Sequence, residues 1–360
     1  MKILNIFYTF NPGGVERLGI DVSNQMALMG HEMHLCIISE EYSGDLLAQI
    51  DENVYVHKLI RQSKNRKLHY IKQILEIVDR HKIEAVHVHQ GTLMPFYTLI
   101  KALRPRLRFY FTVHDTYIFS ELSKKNKFLA KNVCNKIIAI SDAVSRDIAI
   151  NRVPHSKIVR VYNGTDFSRF AVAEKKDNIE KLVKIVNVAR FFPKKKGQDL
   201  LIRAGAILKE QGYDFSIAFA GGETESSPNA IQEMKKLAES LNVADRIEFM
   251  GNVTDVPGFL KGSDVFVIPS RYEGFGISAV EALACGIPCV ASDIPGLNEV
   301  VNDKKLGELF VMGNADDLAE KLMQVIDSFP DYNPIQIREN AIKRFSIETM
   351  AKQLESVYGA

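Results

Sequence analysis

Cysteine is scarce in this chain of 360 residues. Cys36, Cys134, Cys285 and Cys289 are too few and too scattered to frame a disulfide scaffold. None of them forms a Cys-x-x-Cys pair, which excludes thiolate zinc sites of that spacing, and all four read as small buried hydrophobes in a reducing compartment. No apolar run approaches the roughly 18 residues that a bilayer crossing requires. The opening MKILNIFYTF has neither a long apolar core nor a small-residue cleavage site, so it reads as a first strand and not a signal peptide. The expected location is therefore cytoplasmic. Internal repeats and low-complexity tracts are missing, Asp-x-Asp occurs nowhere, and there is no Gly-x-Gly-x-x-Gly fingerprint for dinucleotides.

What is present describes a globular protein of two domains. The length exceeds one ordinary core, and 46% hydrophobic with 25% charged residues is a normal globular balance. The net charge of +2 hides an asymmetry: residues 1–170 hold 24 Lys and Arg against 16 Asp and Glu, while the rest of the chain is acidic. All nine histidines lie in the first half. Two halves of opposite charge point to domains with different partners.

Short apolar runs alternate with helical stretches throughout. KILNIFYTF, EMHLCIIS, EAVHVH, RFYFTVHD, KIIAIS and KIVRV read as buried strands in the first half. VKIVNVAR, DFSIAFAGG, RIEFMG, DVFVIPS, IPCVASD and GELFVM repeat the scheme in the second. Strands separated by helical segments imply parallel sheets with right-handed crossovers, hence two doubly wound α/β domains. The boundary falls near VYNGTDFSRF, ahead of the charged stretch AVAEKKDNIEK, and the terminal RFSIETMAKQLESVY has helical spacing. Ligands of such folds bind beyond the carboxyl ends of the strands.

Three motifs follow strands directly. In FNPGGVER, Gly13 and Gly14 permit close backbone approach, and a helix amino end with free N–H groups comes next. In ARFFPKKKGQDLL, Arg190 and Lys196 flank a proline turn, and two convergent cations suit a diphosphate, although a charged turn is commonly just a solvated loop. In RYEGFGISAVEALACG, Glu273 lies in the loop after a buried strand. The amides of Gly276, Ile277 and Ser278 open a helix, and Glu281 sits one turn and a half inside it among apolar neighbours. A carboxylate near the positive end of a helix stays ionised and accepts from neutral hydroxyls, which favours polyol binding over proton transfer.

These residues resemble a known family. Glu-Gly-Phe-Gly with a second glutamate eight residues after the first resembles the E-x7-E signature of the retaining GT-B glycosyltransferases of the large family four, glycosyl transferases group 1. SDVFVIPS before it, GIPCVASDIPGLNEVV after it, the early Gly-Gly loop, the Arg190 to Gly197 turn, GNVTDV and NGTD agree in order and spacing.

The resemblance implies a GT-B fold: two Rossmann-like domains facing a central cleft. Residues 1–166 would bind the acceptor, with the final helix 346–360 packing back on them, and 167–345 would bind a nucleoside diphosphate sugar, a UDP-sugar being favoured. It further implies that Glu281 binds the ribose, Glu273 the transferred sugar, and Arg190 and Lys196 the diphosphate. Gly274 to Ser278, Phe275 included, and Gly13 with Gly14 would assist. The backbone of Asn252 and Val253 would lie near the base, and His114 near the sugar. Anomeric retention is expected, and with no Asp-x-Asp to bridge a metal to the diphosphate, so are metal independence and no further cofactor. His87-Val88-His89 puts two imidazoles on one strand face, but with no third ligand nearby it reads as a strand end facing the acceptor rather than a metal site.

Between residues 58 and 160 stand 21 Lys and Arg against 7 Asp and Glu, in RQSKNRKLHYIKQ, KALRPRLRFYF and KKNKFLAKNVCNK. Such a domain suits an anionic membrane surface and a glycan or lipid-linked acceptor, and no nucleic-acid motif accompanies the charge. The rival readings are a nucleotide-sugar epimerase, a phosphorylase, and a non-enzymatic sugar-binding protein. An epimerase has no need of the glutamate spacing, a phosphorylase would be much longer, and a mere binder would not need Arg190, Lys196 and His114 together.

Overall fold

The computed structural model describes residues 1–61, 67–174 and 182–359. Part of the basic run 61–73 and most of the charged stretch 171–181 lie outside the described residues. The chain divides into two compact units, Met1–Thr165 with Ile347–Ala360, and Asp166–Ser346.

The first unit holds a parallel sheet of seven strands: β1 (Lys2–Phe7), β2 (Glu32–Ser39), β3 (Val54–Arg61), β4 (Ala85–Val88), β5 (Arg108–Val113), β6 (Lys136–Ala139) and β7 (Ile158–Arg160). Their order is β3-β2-β1-β4-β5-β6-β7. The second unit holds six: β8 (Val183–Val188), β9 (Phe215–Ala220), β10 (Ile247–Gly251), β11 (Val265–Ile268), β12 (Cys289–Ser292) and β13 (Gly307–Phe310), ordered β10-β9-β8-β11-β12-β13. Both sheets are therefore wound outward in two directions, from β1/β4 and from β8/β11. β3 is absent from the expected strands. VYVHKLIR lies at the sheet edge with Tyr55, Val56, Lys58 and Ile60 exposed, so it lacks the continuous apolar run that marks a strand covered on both faces.

The terminal run forms two helices, Pro334–Phe345 and Ile347–Gly359. The second returns to the first unit: Met350, Ala351, Leu354, Val357 and Tyr358 join one buried cluster with Ile3, Phe7, Leu18, Val22 and Met26. The four cysteines are free and buried, and burial pushes the thiols of Cys36, Cys134 and Cys285 up to about 12. Leu354→Ala removes a fully buried side chain from this cluster and should destabilise the protein by about 2–5 kcal/mol. Urea unfolding followed by circular dichroism measures this, and a loss below about 1 kcal/mol would show that the helix is peripheral to the core.

Candidate functional site

In the second unit the residues after β8 and β11, the strands where the winding reverses, are drawn together. The turn Pro193–Lys196 ends at Gly197, whose φ of +70° favours glycine. A β-carbon there would stand 1.9 Å from the carbonyl oxygen of Pro269, so only glycine lets this turn press on the end of β11. The contact brings Lys196 to Glu273: Nζ and Oε2 are 2.6 Å apart, with the side chains only 19% and 15% exposed. Ser270 also donates to Glu273 from 3.3 Å.

A neighbouring clamp fixes the loop. Arg271 donates two bonds of 2.8 Å to Asp199 and a third to the carbonyl of Pro193, while its own amide donates to Lys195. Pairing with Asp199 holds the Arg271 guanidinium above its ordinary pKa. Arg271 and Asp199 lie outside the residues that the sequence motifs mark for the site. The signal was available as an arginine at the head of an otherwise apolar motif, opposite an acid in the first turn of the helix Gln198–Glu210.

Gly276, at φ +91°, caps the helix Ile277–Ala284, and a β-carbon there would meet Leu297 at 2.4 Å. Gly274 and Phe275 are buried, with Phe275 edge-on to Phe345 at 5.4 Å. Glu281 is half-buried in the fifth position of the helix. Arg338, far along the chain, donates to the carbonyls of Ala284, Phe167 and Phe170, countering the helix's negative end. Arg190 stands exposed after β8 and its guanidinium bonds to no described residue, although its carbonyl accepts from Gln198 at 3.0 Å. Asn252 and Val253 follow β10, two strands from β8, where the Asn252 side chain fills the space above Gly222. One edge of this unit thus gathers cations, carboxylates and a helix amino end.

In the first unit Gly13 and Gly14 are exposed at the start of the helix Gly14–Leu28. Gly13 is extended (φ −168°), so its value is the lack of a side chain and not a left-handed backbone. His89 and His114, after β4 and β5, share a bond of 2.9 Å, and His89 stacks on Phe7. His87 points within the same unit to Tyr358 and Thr112, both at 2.6 Å. The His-x-His pair is thus divided between the C-terminal helix and His114.

The fold is that of the two-domain GT-B glycosyltransferases. The chain aligns over its full length, and over the full length of the other, with the Anabaena protein Alr3699/HepE in complex with UDP, at a TM-score of 0.85 and 21% identity. The family "Glycosyltransferase Family 4" matches residues 12–169 and "Glycosyl transferases group 1" matches 169–344. The chain belongs to this family of glycosyltransferases. It is 24% identical to N-acetyl-alpha-D-glucosaminyl L-malate synthase of Bacillus anthracis, over 96% of this chain and 93% of that one. It is 25% identical to UDP-Gal:alpha-D-GlcNAc-diphosphoundecaprenol alpha-1,3-galactosyltransferase of Escherichia coli, over 87% and 85%.

Burial lowers the pKa of His114 to about 4 and of His87 to about 3, and His89 well below its ordinary value, so all three are neutral near pH 7. Between pH 4 and an unfolded value of about 6.5, unfolded His114 binds a proton that the folded side chain refuses. Its contribution is complete above about pH 6.5 and is lost as the pH falls toward 4, at up to about 1.4 kcal/mol per pH unit. His114→Asn should flatten the pH dependence of urea unfolding by about one proton in this window. An unchanged slope would show that His114 is protonated in the fold.

Proposed function

We propose that the protein transfers a sugar from a nucleoside diphosphate sugar, a UDP-sugar being favoured, to an acceptor hydroxyl with retention of configuration and without a metal ion. The product belongs to a bacterial-type cell-surface polysaccharide or glycolipid. The observation that carries this is the meeting of Lys196 with Glu273 beside the amino end of the helix Ile277–Ala284. The UDP in the Anabaena structure, and the UDP-sugar and lipid diphosphate in the name of the Escherichia coli relative, support the donor and acceptor classes.

In this reading Arg190 and Lys196 neutralise the departing diphosphate, assisted by the amides of Gly276, Ile277 and Ser278 and by Gly13 and Gly14. An ammonium has three N–H donors, so Lys196 can keep Glu273 while donating to a phosphate oxygen. Glu273 accepts from sugar hydroxyls and Glu281 from the ribose. The backbone at Gly274 and Phe275 shapes the turn, Asn252 and Val253 lie by the base, and neutral His114 meets the sugar. The bond from anomeric carbon to phosphate oxygen breaks as the acceptor oxygen bonds on the same face. The acceptor proton passes to the leaving phosphate. Glu273 suits this better than covalent attack, because Lys196 and Ser270 already occupy its Oε2. Stabilising the leaving charge is then the largest catalytic contribution.

Lys196→Ala or Arg190→Ala should reduce kcat by roughly two to three orders of magnitude, as losing an oxyanion donor does. The assay is release of nucleoside diphosphate from a panel of nucleotide-sugars, and it should proceed unchanged in EDTA. Normal turnover by Lys196→Ala, or abolition by EDTA, contradicts the reading.

We further infer a cytoplasmic protein bound peripherally to the inner membrane face. Among the described residues no helix is long and apolar enough to cross a membrane. Much of the first unit's positive charge is structural: Lys101, Arg108 and Lys157 bond backbone carbonyls, and Arg104 pairs with Asp79. The helix Lys124–Val133 combines charge with apolar surface: Lys124, Lys125 and Phe128 are exposed, near Tyr117 and Ile118 in sequence and exposed like them. Each cation beside an anionic surface is worth about 1 kcal/mol. Flotation with anionic vesicles should show binding that salt reverses and that Lys124→Glu with Lys125→Glu removes; absence of salt-sensitive binding overturns it.

A further inference from the structure

In the amino-terminal halves of β2 and β3, away from the carboxyl strand ends that carry His89 and His114, three imidazoles meet. Glu32 and His34 project from one face of β2, and the parallel register setting Cys36 beside His57 puts His57 on that same face. The helix Lys67–His81 ends over it, delivering His81. His34 Nδ1 lies 3.0 Å from His57 Nε2, the two rings are nearly parallel, and His81 leans across both at about 60°. One ring nitrogen from each residue lies within 4.8 Å of the other two.

We propose that His34, His57 and His81 form a binding site for one transition-metal ion of the zinc class. The second nitrogen of His34 meets Glu32 at 3.1 Å, and Glu32 is anchored by Lys2 at 2.8 Å. A carboxylate behind a ligating imidazole is the arrangement that fixes tautomer and ring direction at metal centres. Tetrahedral zinc at about 2.0–2.1 Å from each nitrogen sets ligands about 3.4 Å apart, so the cluster needs to close by little more than 1 Å. Burial lowers the pKa of His34 against the opposing pull of Glu32, and burial with the neighbouring His34, His81 and Arg80 lowers that of His57.

His57 and His81 are half-buried, leaving a path for the ion and a fourth position for water. Tyr55 stacks on His34 and covers the other side. Lys2 and Arg80 offset the charge of Glu32, so the site attracts by its nitrogen donors and not by its field. That selects Zn²⁺, Ni²⁺ or Cu²⁺ over Mg²⁺ and Ca²⁺. An ion here would tie the edge strand β3 to β2 and to the helix Lys67–His81, a structural role separate from sugar transfer.

The test uses the full-length protein stripped of metal and titrated with Zn²⁺ and Co²⁺. Expected are one ion per chain, visible absorption of Co²⁺ in a low-symmetry nitrogen site, and a Tm raised by Zn²⁺ but not by Mg²⁺. Glu32→Gln should weaken Zn²⁺ binding by about 10–100-fold. The double variant His57→Gln and His81→Gln should abolish it, while its metal-free circular dichroism stays native; His114→Asn should leave it intact. Unchanged uptake by that double variant, or no stoichiometric uptake by the unsubstituted chain, overturns the proposal.

Discussion

A parallel sheet wound outward from its middle leaves one place where neighbouring strands send their chains in opposite directions, and there the strand ends stay uncovered by crossovers. Both units are built around that constraint, at β1/β4 and at β8/β11. The charged residues of the second unit's candidate site depend on it. Arg190 and Lys196 leave β8, Glu273 leaves β11, and the helix Ile277–Ala284 begins where backbone N–H groups have no partner of their own.

The geometry at β8/β11 is held by contacts that do no chemistry. Gly197 allows backbone to meet backbone at Pro269, and Arg271 straps the loop to Asp199 and Pro193. A bidentate guanidinium fixes orientation as well as distance, which a lysine in its place would not. Lys196 and Glu273 are therefore presented at the site by a rigid frame rather than by their own flexible stems. Positioning of this kind makes a preset charge effective against charge that develops during a reaction.

The first unit uses the chain's far end in the same spirit. Tyr358 of the final helix bonds His87, and its carbonyl accepts from Arg108 and Tyr110. The helix that completes this core thus also pins one member of the His-x-His pair, leaving His89 to pair with His114. Two histidine groups of different character result. One is neutral and enclosed at the carboxyl ends of the strands, the other lies in the amino-terminal halves of β2 and β3 with a carboxylate behind it.

The sequence by itself determined the two doubly wound sheets, because strands covered on both faces read as continuous apolar runs, and it determined the helix start at Gly276 through the glycine-punctuated turn. It also marked the residues of the second unit's edge, since each directly follows a strand. It hid β3, whose edge position lets polar and apolar residues mix, and it hid Arg271–Asp199, whose partners lie 72 residues apart. Lys196 and Glu273 read as separate groups with separate tasks, and only folding, across 77 residues, joined them. The three-histidine cluster was invisible for the same reason. Strand and helix periodicity fixes which face a side chain takes, but strand register and helix docking decide what it meets there.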